Sequence, residues 1–313
     1  MKYASVVVTF NRKEMLVKSL ERFLNQDNKP QRIIVVDNAS TDGTDQLMQE
    51  KYGDNPVIKY VRLAKNVGGA GGFNHGLREA VKEDVDWISI ADDDALFNQD
   101  FFTKIERATK EYPDVQAFSG TVIHGQDITE IMQRRRITNW HTLSFEAVPE
   151  SEYDHDFEYD LFTFVGVVFK KELVEKIGFP EEDFFIWHDD TEYSIRVRKH
   201  TRVINVSAAQ IYHQNVIGDD AFAWAPTWKE YYGIRNKIQV IKKYGHPRAA
   251  VWLQIAYMYV KKMVANAIKP ERKGYRKFQM MAARDGFHDG LHNQLGKNDK
   301  YLPGMKIKRD NED

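Results

Sequence analysis

The sequence predicts an α/β protein with a doubly wound, mostly parallel sheet and a helical C-terminal region. Three observations predict it. Short apolar, β-branched runs alternate with segments of helical period over residues 5–91. A polar cluster directly follows each run. Beyond residue 220 the pattern changes to long, basic, helical segments.

Ser5 to Phe10 is an apolar run of the kind that fills a buried parallel strand. Asn11 and Arg12 form a loop, and Leu16, Leu20, Phe23 and Leu24 then recur at helical spacing. Pro30 breaks that helix, and Arg32 to Val36 reads as a second strand. The loop Asp37 to Gly43 caps the next helix. Ile58 to Arg62 reads as a third strand, and the glycine-rich loop 66–72 opens a helix running to about Lys82. Trp87 to Ala91 is a fourth strand. In such sheets ligands bind beyond the carboxyl ends of the strands. Thr9/Asn11/Arg12, Asp37/Asn38, Lys65/Asn66 and Asp92–Asp94 all follow strand ends and are expected to converge on one cleft.

The middle is less regular. Phe162 to Phe169 reads as one buried strand, and Leu173 to Ile177 as a helix ended by Gly178-Phe179-Pro180. Asp189 and Asp190 stand just before a helix that continues over Ser194 to Lys199. Arg202 to Val206 is a strand, and Ile211-Tyr212-His213 follows it. The last dozen residues are polar and are expected to fray. The expected division is 1–220 and 221–313, with the first part in two halves, 1–116 and 117–220.

Composition narrows the function. The net charge of −1 excludes a whole-molecule electrostatic nucleic-acid binder. The absence of cysteine excludes disulfides, zinc–thiolate sites and thiol nucleophiles. No signal peptide and no apolar run of membrane-spanning length is read, so the expected location is the cytoplasm. Charge is uneven: residues 242–277 hold ten Lys or Arg against the single acid Glu271.

The chemistry starts from Asp92-Asp93-Asp94. Three adjacent carboxylates at the mouth of a buried strand repel unless a cation neutralises them. A hard divalent metal does so, with a nucleotide diphosphate as its usual companion; a solvated acidic turn is the alternative. The glycine loop lets backbone approach a phosphate or sugar, but it matches neither the dinucleotide fingerprint nor a phosphate loop of the GK[ST] type. Asp189 and Asp190 read either as helix-capping acids or as a pair in which one member is a general base. His213 is a structural histidine or, beside a carboxylate-bound metal, a third ligand.

TFNR, VVDNASTDGT, NVGGAGGFNHG, the DDD after a strand and WHDDTEY, in this order over residues 3–215, resemble glycosyltransferase family 2. The set is most similar to the galactofuranosyltransferase and rhamnosyltransferase branch, and YYGIRN at 231–236 is similar to segments of polysaccharide-building enzymes. The resemblance implies a GT-A fold, a sugar-nucleotide donor and inversion. It implies that 1–116 is the nucleotide-sugar-binding half and 117–220 the acceptor and catalytic half. Thr9, Asn11, Arg12 and Asp37 would hold uracil and ribose. Lys65 and Asn66, with the glycine loop including Gly72, would hold ribose and donor sugar. Asp92 and Asp94 would face a Mn²⁺ or Mg²⁺ ion and the diphosphate, with His213 as a further ligand, and Asp93 would contact ribose or sugar. Asp190 would be the base, with Asp189 positioning the acceptor. Trp187, an aromatic platform or else a core residue, and His188 would meet the acceptor.

The implied partners are a nucleotide-diphosphate sugar, with UDP-galactofuranose favoured and dTDP-rhamnose as alternative, and a glycan or lipid-linked glycan acceptor. A nucleotidyltransferase and a catalytically silent glycan-binding protein are the more distant readings. The apolar run from Val251 to Val264 with its basic flanks, within 242–277, reads as a membrane-surface helix at the inner face of the plasma membrane. Packing on the catalytic domain or in a homo-oligomer interface is the other reading.

Overall fold

The computed structural model describes residues 1–125, 128–214 and 225–311. In chain order the strands are β1 (Tyr3–Thr9), β2 (Arg32–Asp37), β3 (Ile58–Arg62), β4 (Trp87–Asp92), β5 (Ala95–Phe97), β6 (Ala117–His124), β7 (Ile128–Thr129), β8 (Arg134–Asn139), β9 (Ser144–Ala147), β10 (Phe157–Tyr159), β11 (Leu161–Phe162), β12 (Val167–Lys170) and β13 (Val203–His213). The α-helices are α1 (Lys13–Leu24), α2 (Thr44–Tyr52), α3 (Gly68–Ala80), α4 (Phe101–Glu111), α5 (Lys171–Ile177), α6 (Asp189–Arg198), α7 (Lys229–Tyr244), α8 (Arg248–Ile268) and α9 (Arg276–Leu291). The described residues fall into two compact units, drawn from 1–136, 146–182 and 190–215, and from 137–145, 183–189 and 216–313.

The first unit is a mixed sheet in the order β10-β13-β6-β12-β4-β1-β2-β3. The β4-β1-β2-β3 block and the β6–β13 pair run parallel. All seven residues of β1 are buried, as expected for a parallel strand covered on both faces. Alternation then splits them between two cores: Tyr3 and Val7 join Leu16, Phe23 and Phe102, whereas Val6 and Val8 join Phe73, Leu77 and Ile90. Each such side chain contributes roughly 1.5–3 kcal/mol of burial.

Three local expectations are corrected. The apolar run 162–169 is not one strand: β11 ends at Phe162 and β12 starts at Val167, because β12 must enter antiparallel between β4 and β6. Gly166 makes the entry with φ +71°, where a Cβ would lie 2.0 Å from Ile211 Cδ1. Residues 203–206 and 211–213 belong to one strand, β13, with an irregularity between Val206 and Gln210 that shifts its register on β6. The glycine run is the first turns of α3 rather than a loop before it, and Gly72 lets the helix press on the sheet, a Cβ there standing 2.5 Å from Val8 Cγ1.

The second unit is built on α7, α8 and α9. Tyr231, Tyr232, Phe278, Tyr301 and Phe185 form its core, and the Tyr231 and Tyr301 rings stack at 4.4 Å. The expectation of a frayed end is corrected for the described residues. Met305 and Ile307 pack on this core, and the Asp310 carboxylate accepts from the N–H groups of Arg276 and Lys277. Those are orphan donors of the α9 N-terminus, so an acid there is favoured.

Candidate active site

Strand register brings the acids together. Thr9 pairs with Asp37 across β1 and β2, and Val8 with Asp92 across β1 and β4, so three neighbouring strands end side by side. His213 pairs with Ala95 across β13 and β5, and the Gln214 N–H donates to the Asp94 carbonyl. This places His213 beside Asp94.

One network results. Thr9 Oγ1 donates to Asp93 Oδ2 at 2.6 Å. Arg12 Nη1 bridges Asp93 Oδ1 at 3.0 Å and Asp94 Oδ2 at 2.7 Å. His213 Nε2 stands 3.4 Å from Asp94 Oδ1, and His213 Nδ1 is 3.0 Å from the Glu130 carboxylate. Thr9 and Arg12, which the resemblance gives to uracil and ribose, are thus occupied here by the acids.

Burial sets the electrostatics. It pushes Asp92 up to about 7, reinforced by the charges of Asp94 and Asp93. It raises Asp93 to about 6 against the pull of Arg12 and Thr9. Burial also acts on Asp94, but His213 and Arg12 outweigh it and hold that carboxyl below its usual value. Burial disfavours the His213 cation, yet the Asp94 and Glu130 carboxylates reverse this and lift it to about 10. Arg12 and His213 are therefore the cations that neutralise the acidic cluster in this structure.

Asn11 and Asp37 are joined through the next loop. The Asn11 N–H donates to Ser40 Oγ, the Ser40 N–H donates to Asp37 Oδ1 at 2.8 Å, and Tyr60 Oη donates to Asp37 Oδ2 at 2.5 Å. Asn66 Oδ1 accepts from the Gly68 N–H, the first of α3, at 2.7 Å. Lys65 is exposed, and Gly72 is buried against Val8.

Asp189 and Asp190 are the first residues of α6 rather than residues before it. Asp190 Oδ1 accepts from the Thr191 N–H at 2.5 Å and from Thr191 Oγ1 at 3.1 Å. Asp190 Oδ2 lies 4.0 Å from Arg135 Nη2. Burial raises the Asp190 pKa, with Arg135 and the Thr191 N–H pulling the other way, and the net position is above the usual carboxylate range. A carboxylate raised in this way is a better proton acceptor than an ordinary one.

Trp187, His188 and Asp189 belong to the second unit. Phe185, Trp187 and His188 all have φ between +63° and +66°, a conformation non-glycine residues hold only when the surroundings impose it. Asn236 and Arg235 brace it: the two Nδ2 hydrogens of Asn236 are shared among the carbonyls of Phe184, Ile186 and Trp187 at 2.8–2.9 Å, and Arg235 Nη2 donates to those of Asp183 and Phe184. The Trp187 ring is 42% exposed and rests over Gly233 of α7, where a Cβ would be 2.7 Å from Cε3.

Sequence reasoning missed Glu130, Arg135 and Tyr60, and gave Gly233 and Asn236, which lie in the YYGIRN segment, no role of their own. The run Arg134-Arg135-Arg136 was the visible signal for one of them, since three consecutive cations over a buried strand need acids nearby. Glu130 stands in no motif.

Among the described residues no set of three or more His, Asp or Glu is arranged to hold a metal as it stands. The donor chemistry nevertheless fits a divalent ion. Asp94 Oδ1 is buried and faces the His213 ring nitrogen at 3.4 Å, carboxylate oxygens and an imidazole are the donors in reach, and Glu130 orients His213 from behind.

A mixed, partly parallel sheet whose strand ends gather acids and a histidine has the architecture of the GT-A class. Residues 5–178 match the family model "Glycosyl transferase family 2", and the chain belongs to that family. It is 30% identical over 199 residues to galactofuranosyltransferase GlfT1 of Mycolicibacterium smegmatis, covering 62% of this chain and 64% of that protein. The chain thus spans just under two thirds of the length of that relative. It is 22% identical to dTDP-rhamnosyl transferase RfbF of Shigella flexneri over 90% of this chain and 94% of that one. Among solved structures it is similar in fold to the mannosyltransferase PcManGT of Pyrobaculum calidifontis in complex with GDP-Man and Mn²⁺, with a TM-score of 0.56, 17% identity, and coverage of 94% and 88%.

Proposed function

We propose that this protein is a metal-dependent inverting glycosyltransferase that moves galactofuranose from UDP-galactofuranose to a glycan or lipid-linked glycan. The observation that carries the reading is the network at the strand ends, in which Asp93 and Asp94 share Arg12, Asp94 also faces His213, and the buried Asp92 stands beside them in sequence. A Mn²⁺ or Mg²⁺ ion held by Asp92, Asp94 and His213 would supply positive charge for the departing diphosphate. Arg12, which meets Asp93 and Asp94 here, would join the residues that hold uracil and ribose. Asp37, Asn11 and Thr9 position uracil and ribose; Lys65 and Asn66 at the α3 N-terminus, with Gly72, line the ribose and donor sugar.

Asp190 takes the proton of the acceptor hydroxyl. The hydroxyl oxygen forms a bond to the anomeric carbon while the bond to the nucleotide diphosphate breaks on the opposite face, so configuration inverts. Asp189, His188 and the exposed Trp187 ring orient the acceptor, the ring offering an apolar face to a sugar.

The near full-length match to RfbF favours a second reading, a dTDP-rhamnose donor with the same residues in the same roles. A donor panel separates them. Purified protein with Mn²⁺ is given UDP-galactofuranose, UDP-galactopyranose, UDP-glucose or dTDP-rhamnose, and released nucleotide diphosphate is followed with an EDTA control. EDTA-sensitive release from UDP-galactofuranose alone is expected; release from dTDP-rhamnose alone replaces the donor. Metal-dependent nucleotide binding without turnover, even with acceptor glycans supplied, overturns the enzyme reading.

A further inference from the structure

We propose that the outer face of α8 lies flat on an anionic lipid surface. The helix has 21 residues, about 30 Å of length. Its inner side buries Val251, Ile255 and Asn266. The other side presents Trp252, Leu253, Tyr257, Val260, Val264 and Ile268, each between 48% and 73% exposed. From Leu253 to Ile268 the spacing of three and four residues makes one continuous stripe along the helix, with Trp252 beside its first residue. Exposed apolar residues scattered singly need no explanation, whereas a contiguous stripe marks an interface.

The charge around the stripe selects the occupant. Arg248, Lys261, Lys269 and Lys273 border it and are exposed, and Glu271 is the lone acid of 242–277. A second copy docked by two-fold symmetry would set this basic border against itself. Anionic headgroups neutralise it, and Trp252 and Tyr257 suit the boundary between headgroup and acyl chain. A further exposed tryptophan, Trp140, lies in the segment that Gln254 ties to α8 through the Thr142 carbonyl. Among the described residues no helix is long and apolar enough to cross a membrane, so the helix rests on the surface. This inference does not depend on the donor or on catalysis.

Flotation with vesicles tests it. Wild-type protein is mixed with phosphatidylcholine vesicles, or with vesicles in which about a third of the lipid is phosphatidylglycerol, at roughly 0.1 M and 0.5 M salt. Co-flotation is expected with the anionic vesicles only, weakening at least about tenfold at the higher salt. Leu253→Asp with Val260→Asp should abolish it, and Lys261→Glu with Lys269→Glu should weaken it by about tenfold or more. All four side chains face outward, so each double variant should melt within about 2 °C of wild type, which verifies folding without reference to activity. Absence of flotation with both vesicles overturns the proposal, as does flotation that the folded variants leave unchanged. A dimer in light scattering that Leu253→Asp dissociates would assign the face to a second copy and overturn it equally.

Discussion

Replacing Arg135 should move the acid side of the pH–rate profile upward. The Asp190 carboxylate lies 4.0 Å from the Arg135 guanidinium. Burial raises the Asp190 pKa, and Arg135 is the largest influence opposing it. Two unit charges at that distance interact by about 4 kcal/mol at an effective dielectric of 20 and about 1 kcal/mol in bulk water. Asp190 is 21% exposed, so screening brings the figure down to roughly 1–2 kcal/mol, or about one pKa unit. The sign follows from the role. A base must be ionised, so the rate rises with pH through the Asp190 pKa. Arg135→Met removes the stabilising cation, raises that pKa further and shifts the rising limb of kcat by about one unit toward higher pH. Well above the limb the variant should recover most of the wild-type rate, and Arg135→Lys should shift the limb less. The assay is transfer rate against pH at saturating donor and metal, with melting curves beside it because Arg135 is buried. A uniform loss of rate at every pH, with the limb unmoved in a folded variant, would refute the link between Arg135 and the base.

Asp190→Asn should abolish transfer while donor binding, measured by calorimetry, stays within several-fold. The raised pKa means the folded state holds the Asp190 proton more tightly than the unfolded chain, so ionisation above that pKa destabilises the fold, and the neutral amide should melt at or above the wild-type temperature at neutral pH. Gly233→Ala forces a Cβ to within 2.7 Å of the Trp187 ring, and the acceptor KM should rise by about tenfold while slow donor hydrolysis is unchanged; an unaltered KM would remove Trp187 from acceptor binding. His213→Ala and Glu130→Gln should both weaken Mn²⁺ binding, the second by about tenfold or more because Glu130 only orients the imidazole; titration of bound Mn²⁺ by electron paramagnetic resonance reads this directly. Gly166→Ala should destabilise by about 2 kcal/mol or more, since the turn has φ +71° and Ile211 fills the space a Cβ needs; thermal melting measures it.

Much of the architecture was legible because it is written locally. Ile58–Arg62 carries β3 within its own residues, and the helical period after Lys13 and the breaker at Pro30 bound α1 and β2. The run 162–169 misled because apolar character marks burial without marking direction, and only the antiparallel entry of β12 between two strands demands the turn at Gly166. The polar tail misled for a similar reason: Asp310 is an ordinary surface acid until the α9 N-terminus offers it two N–H groups.

The sequence by itself determined the family, the α/β class and the identity of the acids, since short motifs after apolar runs need no knowledge of distant residues. The tertiary structure alone decided which cation meets which acid. Arg12 and Asp94 are 82 residues apart in the chain, and His213 and Glu130 are 83 apart. Strand order and register bring them within 3.0 Å, and Coulomb interaction at that range in a buried setting sets the charge states. The same division holds for α8. Its residues are apolar by sequence, but which six of them face outward depends on which side Val251 and Ile255 bury, and packing makes that choice.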